Sequence, residues 1–400
     1  MATDGKLADL EAAVHHLAAI DRPSASEGER EAAEWIAQRL RGLGCEQVVV
    51  EEERAHGTYW WPLGLLTVLS ALGGLAALRG RRLLGFLTGA FAAAGVAGDI
   101  GGGSLWFRRR FLPHRSTWNV VGETGDAGAR HTVVVVAHHD AAHSGIMFHP
   151  AIPRFAGTHF RGLLERSDTT PPVMFPVFGG PLLVALGSLL SRALLHVGVT
   201  LSAGSAAMFV EIGARSAVPG ANDNLTGVAT LIGVARALQA QPVEGVRVVL
   251  VSTGSEESFM EGMQAFGRRH FSRFSTEHTH FICVDTVGSP ELIQLECEGM
   301  LVMRDYPEEF KTLVSDCAAE VGVQLGRGMR FHNATDGLIS LRAGYPTVML
   351  GSVNEFKLPS NYHWRTDTAD NVEYQSVADA VTLCEAVIRR LAAQPSPAPA

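Results

Sequence analysis

Four consecutive valines, Val133 to Val136, constrain this chain more than any other stretch. β-Branched side chains favour extended backbone, and a run with no polar alternation has to be buried on both faces. Such a strand belongs inside a parallel sheet with helices on either side, so the rest of the chain must supply α/β elements around it. The run breaks into His138, His139 and Asp140. Side chains alternate along a strand, so His138 and Asp140 share one face and His139 takes the other. An imidazole beside a carboxylate is a common metal-ligand pairing, because the second ring nitrogen needs a partner that fixes its tautomer. The triplet also falls beyond the carboxyl end of its strand, where open α/β sheets bind ligands.

Around this strand the pattern predicts helices over 5–20, 27–43, 225–239, 308–321 and 376–391, with caps at Ser24, Ser26 and Glu27 for the second. It predicts further strands over 47–52, 118–123, 246–252, 281–284 and 347–350, and a polar loop over 149–168. The formal charge of −8, with no basic stripe, excludes a nucleic-acid partner. The five cysteines lack C-x-x-C spacing and are expected as core residues of a reducing compartment. The first residues contain no apolar stretch of the kind that marks a cleavable signal peptide.

Mean hydropathy is +0.13, and the excess lies in two blocks. In the first, 60–78 and 83–98 are uncharged arms around a basic tip at Arg79, Arg81 and Arg82, with Trp60, Trp61 and Trp106 near the ends. In the second, arms over 171–190 and 193–210 flank Ser191–Arg192, and Gly179, Gly180 and Pro181 predict a kinked or broken first arm. Both blocks are expected to be transmembrane helical hairpins; the alternatives are buried soluble hairpins or an oligomer interface. Hairpins that leave and return keep their flanks on one side of a membrane. The expected organisation is one discontinuous domain, 1–55 and 113–392, with inserted hairpins at 59–107 and 171–212 and a disordered tail at 393–400. Arg54, Arg108, Arg109, Arg110, Arg115, Arg154, Arg161, Arg166 and Arg215 at the hairpin bases outnumber Arg79, Arg81, Arg82 and Arg192 at the tips. Basic residues favour the cytoplasmic side, so the main domain is expected in the cytoplasm at the inner or plasma membrane.

Acidic or histidine stations follow successive apolar runs: His138 with Asp140, then Asp223, the pair Glu256–Glu257, Asp285 and His363. Two imidazoles and three carboxylates suffice for two zinc ions if one carboxylate bridges. Adjacent glutamates on an irregular loop diverge, so one can bind metal while the other faces an attacking water as a base.

The sequence resembles the di-zinc aminopeptidase family that includes the bacterial leucyl aminopeptidases, aminopeptidase Y and glutamate carboxypeptidase. The similarity runs through RPSASEGEREAAEWIAQRLRGLG, VVVVAHHD, PGANDNLTGVA, STGSEES, FICVDTVG, AGYPTVML and YHWRTDTADN. It implies an α/β three-layer sandwich with a mixed, mostly parallel central sheet, and a zinc-dependent exopeptidase, foremost an aminopeptidase. It also implies that Asp223 bridges two zinc ions, that His138 and Asp285 complete one site, and that Glu257 and His363 complete the other. Glu256 would be the general base, and Asp140 would hold the His138 tautomer. Expected partners are a peptide substrate, the lipid bilayer and a possible second copy of the chain. The competing readings are a single-zinc acyl transferase resembling glutaminyl cyclase, and a catalytically silent membrane receptor on a peptidase fold. One departure is Thr335-Asp336-Gly337, where the family often carries Ser-Asp-His, which leaves a pocket residue missing. Asp367 and Asp370 are expected to fix the His363 loop and the second hairpin to roof the pocket, while His143 and His149, close enough to line it, are expected to be ordinary loop histidines.

Overall fold

The computed structural model describes residues 2–101 and 103–394, so the tail expected at 393–400 falls outside the described residues from 395 onward. Helices α1 (Ala2–Ala18) and α2 (Glu27–Gly42) open the chain, and the Ser26 hydroxyl caps α2 by accepting from Glu29 N. Strand β1 (Glu46–Ala55) leads into apolar helices α3 (Trp60–Leu78) and α4 (Arg82–Ile100). A short helix α5 (Trp106–Phe111) precedes β2 (Arg115–Gly125) and β3 (His131–His138). Helices α6 (Ala151–His159) and α7 (Arg161–Arg166) lead to the second apolar pair, α8 (Phe175–Leu190) and α9 (Arg192–Gly213). Then come α10 (Thr226–Ala240), β4 (Val246–Thr253), α11 (Glu261–His270), β5 (Thr279–Val284) and β6 (Glu291–Gln294). The chain continues with β7 (Cys297–Glu298), β8 (Arg304–Asp305), α12 (Glu308–Val321) and β9 (Arg330–Phe331), and ends with α13 (Gly337–Arg342), β10 (Thr347–Val353) and α14 (Tyr374–Ala392).

The main sheet has the order β1-β2-β4-β3-β5-β10-β6, with β3 at its centre. Strands β4, β3, β5 and β10 pair in parallel, β2 opposes β1 and β4, and β6 opposes β10. The sheet is therefore mixed, with only β2 and β6 reversed. The valine run divides as its period requires. Val133 and Val135 enter a core with α1, α2, α10, α12 and α14, while Val134 and Val136 enter a second core with α11. Helices thus cover both faces, which makes three layers. All five cysteines are free and buried.

Two expectations need correction. The stretch 149–168 forms α6 and α7; in α6 the apolar Ile152 and Phe155 stand three residues apart among polar residues that obscured the period. The arm that Gly179–Pro181 was expected to break is one helix, α8, although it starts four residues later than expected. Its neighbours hold it close: a Cβ on Gly89 of α4 would stand 2.6 Å from Ala185 N, and one on Gly198 of α9 would stand 2.5 Å from Val184 N. Backbone contact of this kind is how small residues join helices without a large apolar side chain between them.

The four apolar helices form one bundle, in which α3 and α8 each pack against both α4 and α9. The Ser70 and Ser202 hydroxyls meet at 3.0 Å inside it. By length and composition α3, α4 and α9 could each cross a membrane, while α8 is shorter. The bundle's outward residues include Leu72, Leu83 and Leu190, each more than 60% exposed, a density of exposed leucine that water disfavours. At the base a buried ion pair ties the bundle to the sheet domain. Arg108 Nε donates to Asp99 Oδ2 at 2.7 Å, and its Nη1 donates to the Ser258 carbonyl at 3.0 Å and hydroxyl at 2.9 Å. Arg108 is therefore a buried structural ion and adds nothing to the free positive charge expected at the hairpin bases.

Candidate metal centre

The stations converge at the carboxyl edge of the parallel strands. His138 ends β3, Glu256 and Glu257 lie in a single turn after β4, Asp285 follows β5, and His363 follows β10. Asp223 comes from the turn ahead of α10, where its backbone leaves the helical region (φ −115°, ψ 89°). Ser255 (φ 49°), Thr286 (φ 55°) and His363 (φ 50°) all sit in the left-handed region that glycine favours. Non-glycine residues in that region concentrate at sites where side-chain direction matters more than local comfort.

His138 Nε2 lies 3.2 Å from Asp223 Oδ1, 3.8 Å from Asp285 Oδ2 and 4.0 Å from Glu256 Oε2. His363 Nε2 lies 3.0 Å from both Asp223 Oδ2 and Glu257 Oε1. The two oxygens of Asp223 thus face different imidazoles. His138, Asp223 and Asp285 can hold one cation, and Asp223, Glu257 and His363 can hold another. The close approach of His363 Nε2 to Asp223 Oδ2 makes no hydrogen bond, and both atoms are buried without a partner. Buried polar atoms are costly when unpaired, so the donor set suits a cation that both would ligate.

The electrostatics agree. Burial pushes Glu256 and Asp285 well above the usual carboxylate range and raises Glu257. At Asp223 the same burial is outweighed by His138 and His363, which hold the carboxyl below its ordinary value. Burial opposes the charging of His363, but Glu257 and Asp223 lift it to about 10. The cluster holds extra protons where it has no cation, and a divalent ion would displace them.

Residues 203–388 match the model of Peptidase family M28. The match spans just under half of the chain. It is similar in structure to the aminopeptidase from Aneurinibacillus sp. strain AM-1, at 12% identity and a TM-score of 0.56, over 96% of this chain and 93% of that one. It is similar to BSAP, a zinc aminopeptidase from Bacillus subtilis, at 12% identity and a TM-score of 0.55, over 96% and 95% of the two chains. It is also similar to the glutaminyl cyclase of Bacteroides thetaiotaomicron, at 13% identity and a TM-score of 0.54, over 96% and 97%. At these identities the structural likenesses speak for the fold alone. No curated protein matches the chain.

The cluster rests on a buried scaffold. Asp140 Oδ1 lies 3.4 Å from His138 Nδ1. The same carboxylate accepts from Glu256 N at 3.0 Å, Glu257 N at 3.1 Å and the Ser24 hydroxyl at 2.6 Å. Asp140 therefore also sets the turn that carries both glutamates. Arg22, wholly buried, donates to the His139 carbonyl at 2.8 Å and the Gly220 carbonyl at 2.7 Å, pinning the end of β3 to the Asp223 turn. Asp367 accepts from Asn222 N at 2.7 Å and Asp223 N at 3.1 Å, so it ties the His363 loop to the Asp223 turn. Asp370 does not share this work: its one ion-pair partner among the described residues is His15, at 3.7 Å on the surface.

Glu29 lies under the same turn, accepting from Thr117 at 2.5 Å and Ser255 at 3.4 Å. Arg22, Ser24 and Glu29 stand inside the segment that carried the N-terminal resemblance, yet helix capping was an adequate reason for Ser24 and nothing local marked Arg22 or Glu29 as buried. Asp336 donates nothing to the metal cluster; it is buried and accepts from Thr253. The other histidines have local partners. His139 points away, with Nδ1 2.9 Å from the Ser252 hydroxyl, His143 Nδ1 meets the Arg215 carbonyl at 2.8 Å, His149 packs on Trp364, and His332 packs on Phe175.

Asp223, Glu256, Glu257 and Asp285 border a cavity of about 20 Å³, closed by Phe331, Thr335 and Tyr362 among others. That is room for one ordered water. No residue of the second hairpin lines it, so the roof comes from the segments around 331–335 and 359–362. The hairpin is held aside because its lower end packs into a separate apolar cluster with Phe148 and Phe259. Replacing Asp140 with Asn is expected to weaken zinc binding about 10- to 100-fold, the usual cost of losing an outer-shell partner. A chelator-competition titration beside a far-UV spectrum checks this; an affinity within twofold of wild type would remove Asp140 from the support of the site.

Proposed function

We propose that this metallopeptidase is an aminopeptidase that releases N-terminal residues from peptides, with two zinc ions bridged by Asp223. His138 and Asp285 hold one zinc and Glu257 and His363 hold the other. The observation that supports this most is the placing of the two Asp223 oxygens beside different imidazoles, at 3.2 and 3.0 Å. When bound, zinc supplies acidity to water and positive charge for the developing oxyanion. Glu256 takes a proton from the attacking water and delivers it to the leaving amine. Its carboxylate borders the water-sized cavity, and burial raises its proton affinity toward that of a useful base. The carboxylate-rich cleft suits the substrate's free ammonium group. Likeness to a glutaminyl cyclase keeps a single-zinc acyl transferase as the second reading.

Glu256→Gln keeps shape but cannot accept a proton. Turnover of aminoacyl amides is expected to fall roughly a hundredfold to ten-thousandfold with zinc retained. Wild-type turnover in a zinc-loaded variant would reassign the base.

The helical bundle is proposed to sit in the inner or plasma membrane, with the peptidase domain in the cytoplasm. Three helices of sufficient length, the exposed leucines and the greater number of basal arginines support this. The native cysteines are buried, so an engineered one reports alone. In intact cells, Cys at position 81 should label with an impermeant maleimide and Cys at position 370 should not. The reverse pattern would place the peptidase outside.

A further inference from the structure

Beside the first hairpin's base lies a second cavity, of about 250 Å³, unconnected with the metal cluster's lining. That is several times the roughly 30 Å³ occupied by a liquid water. Its walls are Arg54 and His56 from the end of β1, Arg109 of α5, His114 ahead of β2, and Glu261 and Arg268 of α11. Three separate segments thus bring guanidinium groups to one hollow.

Their charge is not spent elsewhere. Among the described residues, none of the three arginines has a carboxylate within ion-pair distance, although Arg109 donates to the Gln264 side chain at 2.9 Å. The one acid in the wall is already engaged. Glu261 accepts from His56 N at 2.8 Å, His56 Nδ1 at 2.7 Å and the Ser258 hydroxyl at 2.5 Å, with Arg108 3.8 Å away. Partial burial, and after it the neighbouring Arg268, disfavour the charge of Arg109. A second observation points to a ligand: His56 is 3% exposed, and its Nε2 is buried with no partner. With Nδ1 donating to Glu261, Nε2 can accept from an acid hydroxyl or, protonated, donate to an anionic oxygen.

We propose that this cavity binds a phosphate or phosphate-ester anion, held by Arg54, Arg109 and Arg268 at the mouth and by His56 on the floor. Guanidinium forks match the oxygens of such an anion, and a tetrahedral group can meet three forks arriving from different segments. Two sources offer this chemistry. One is free phosphate; the other is the headgroup of an anionic phospholipid, since α5 directly follows an apolar helix long enough to cross a bilayer.

The test uses full-length, zinc-loaded protein and three variants: the double substitution Arg54→Ala with Arg268→Ala, the conservative Arg268→Lys, and Arg304→Ala as a distant control. All the altered side chains are exposed, and unchanged peptidase turnover verifies the fold. In neutral detergent, inorganic phosphate is titrated calorimetrically; in nanodiscs with phosphatidic acid, co-purified lipid is read by native mass spectrometry. Saturable phosphate binding that weakens at least about tenfold in the double variant, less in Arg268→Lys and not in Arg304→Ala, supports the site with free phosphate as a ligand. Retained phosphatidic acid that the double variant loses supports it with a headgroup as the ligand. Absence of both signals, or equal binding by wild type and double variant, overturns it.

Discussion

Four carboxylates, Asp223, Glu256, Glu257 and Asp285, share one buried site with only two imidazoles. Taking like charges out of water together is among the most expensive arrangements a fold can make, and it persists only where a compensating charge enters. Protons can supply part of that charge, which is why burial holds Glu256 and Asp285 in the protonated direction. Divalent cations supply it more completely and release those protons. The rest of the domain holds the carboxylates in place against their mutual repulsion. The parallel strands β3, β4, β5 and β10 deliver them to one edge, Arg22 and Asp367 lock the Asp223 turn, and Asp140 locks the glutamate turn.

The same principle, a buried ion answered by a built partner, joins the two halves of the molecule. Arg108 leaves the bundle's base and is completely enclosed by Asp99, Ser258 and Glu261. Ser258 follows Glu257 directly, so the bundle is tied to the turn that carries the glutamates. Removing either partner of a buried pair leaves an uncompensated charge, which costs far more than the pair contributes.

The fold and the stations that it gathers into one cluster were legible because each is local. The valine run dictates a central strand, and each station follows an apolar run at the end of a strand or turn. The bundle's existence was legible from its two uncharged blocks, but its packing was not, because Gly89 and Gly198 acquire meaning only against Ala185 and Val184. Helices α6 and α7 were missed because histidines and arginines mask a weak period. Arg22 was invisible for another reason: a buried arginine is identified by the carbonyls it reaches, and those lie 117 and 198 residues away. Asp370 was expected to act with Asp367 on the same loop, whereas the fold turns it to the surface.

The central claim is that the Asp223 carboxylate stands between two zinc ions. Anomalous diffraction at the zinc edge from crystals of the zinc-loaded protein tests it directly. Two peaks are expected, one among His138, Asp223 and Asp285 and one among Asp223, Glu257 and His363, a few ångströms apart as co-catalytic sites require. A single peak that stays single at excess zinc would contradict the bridged pair.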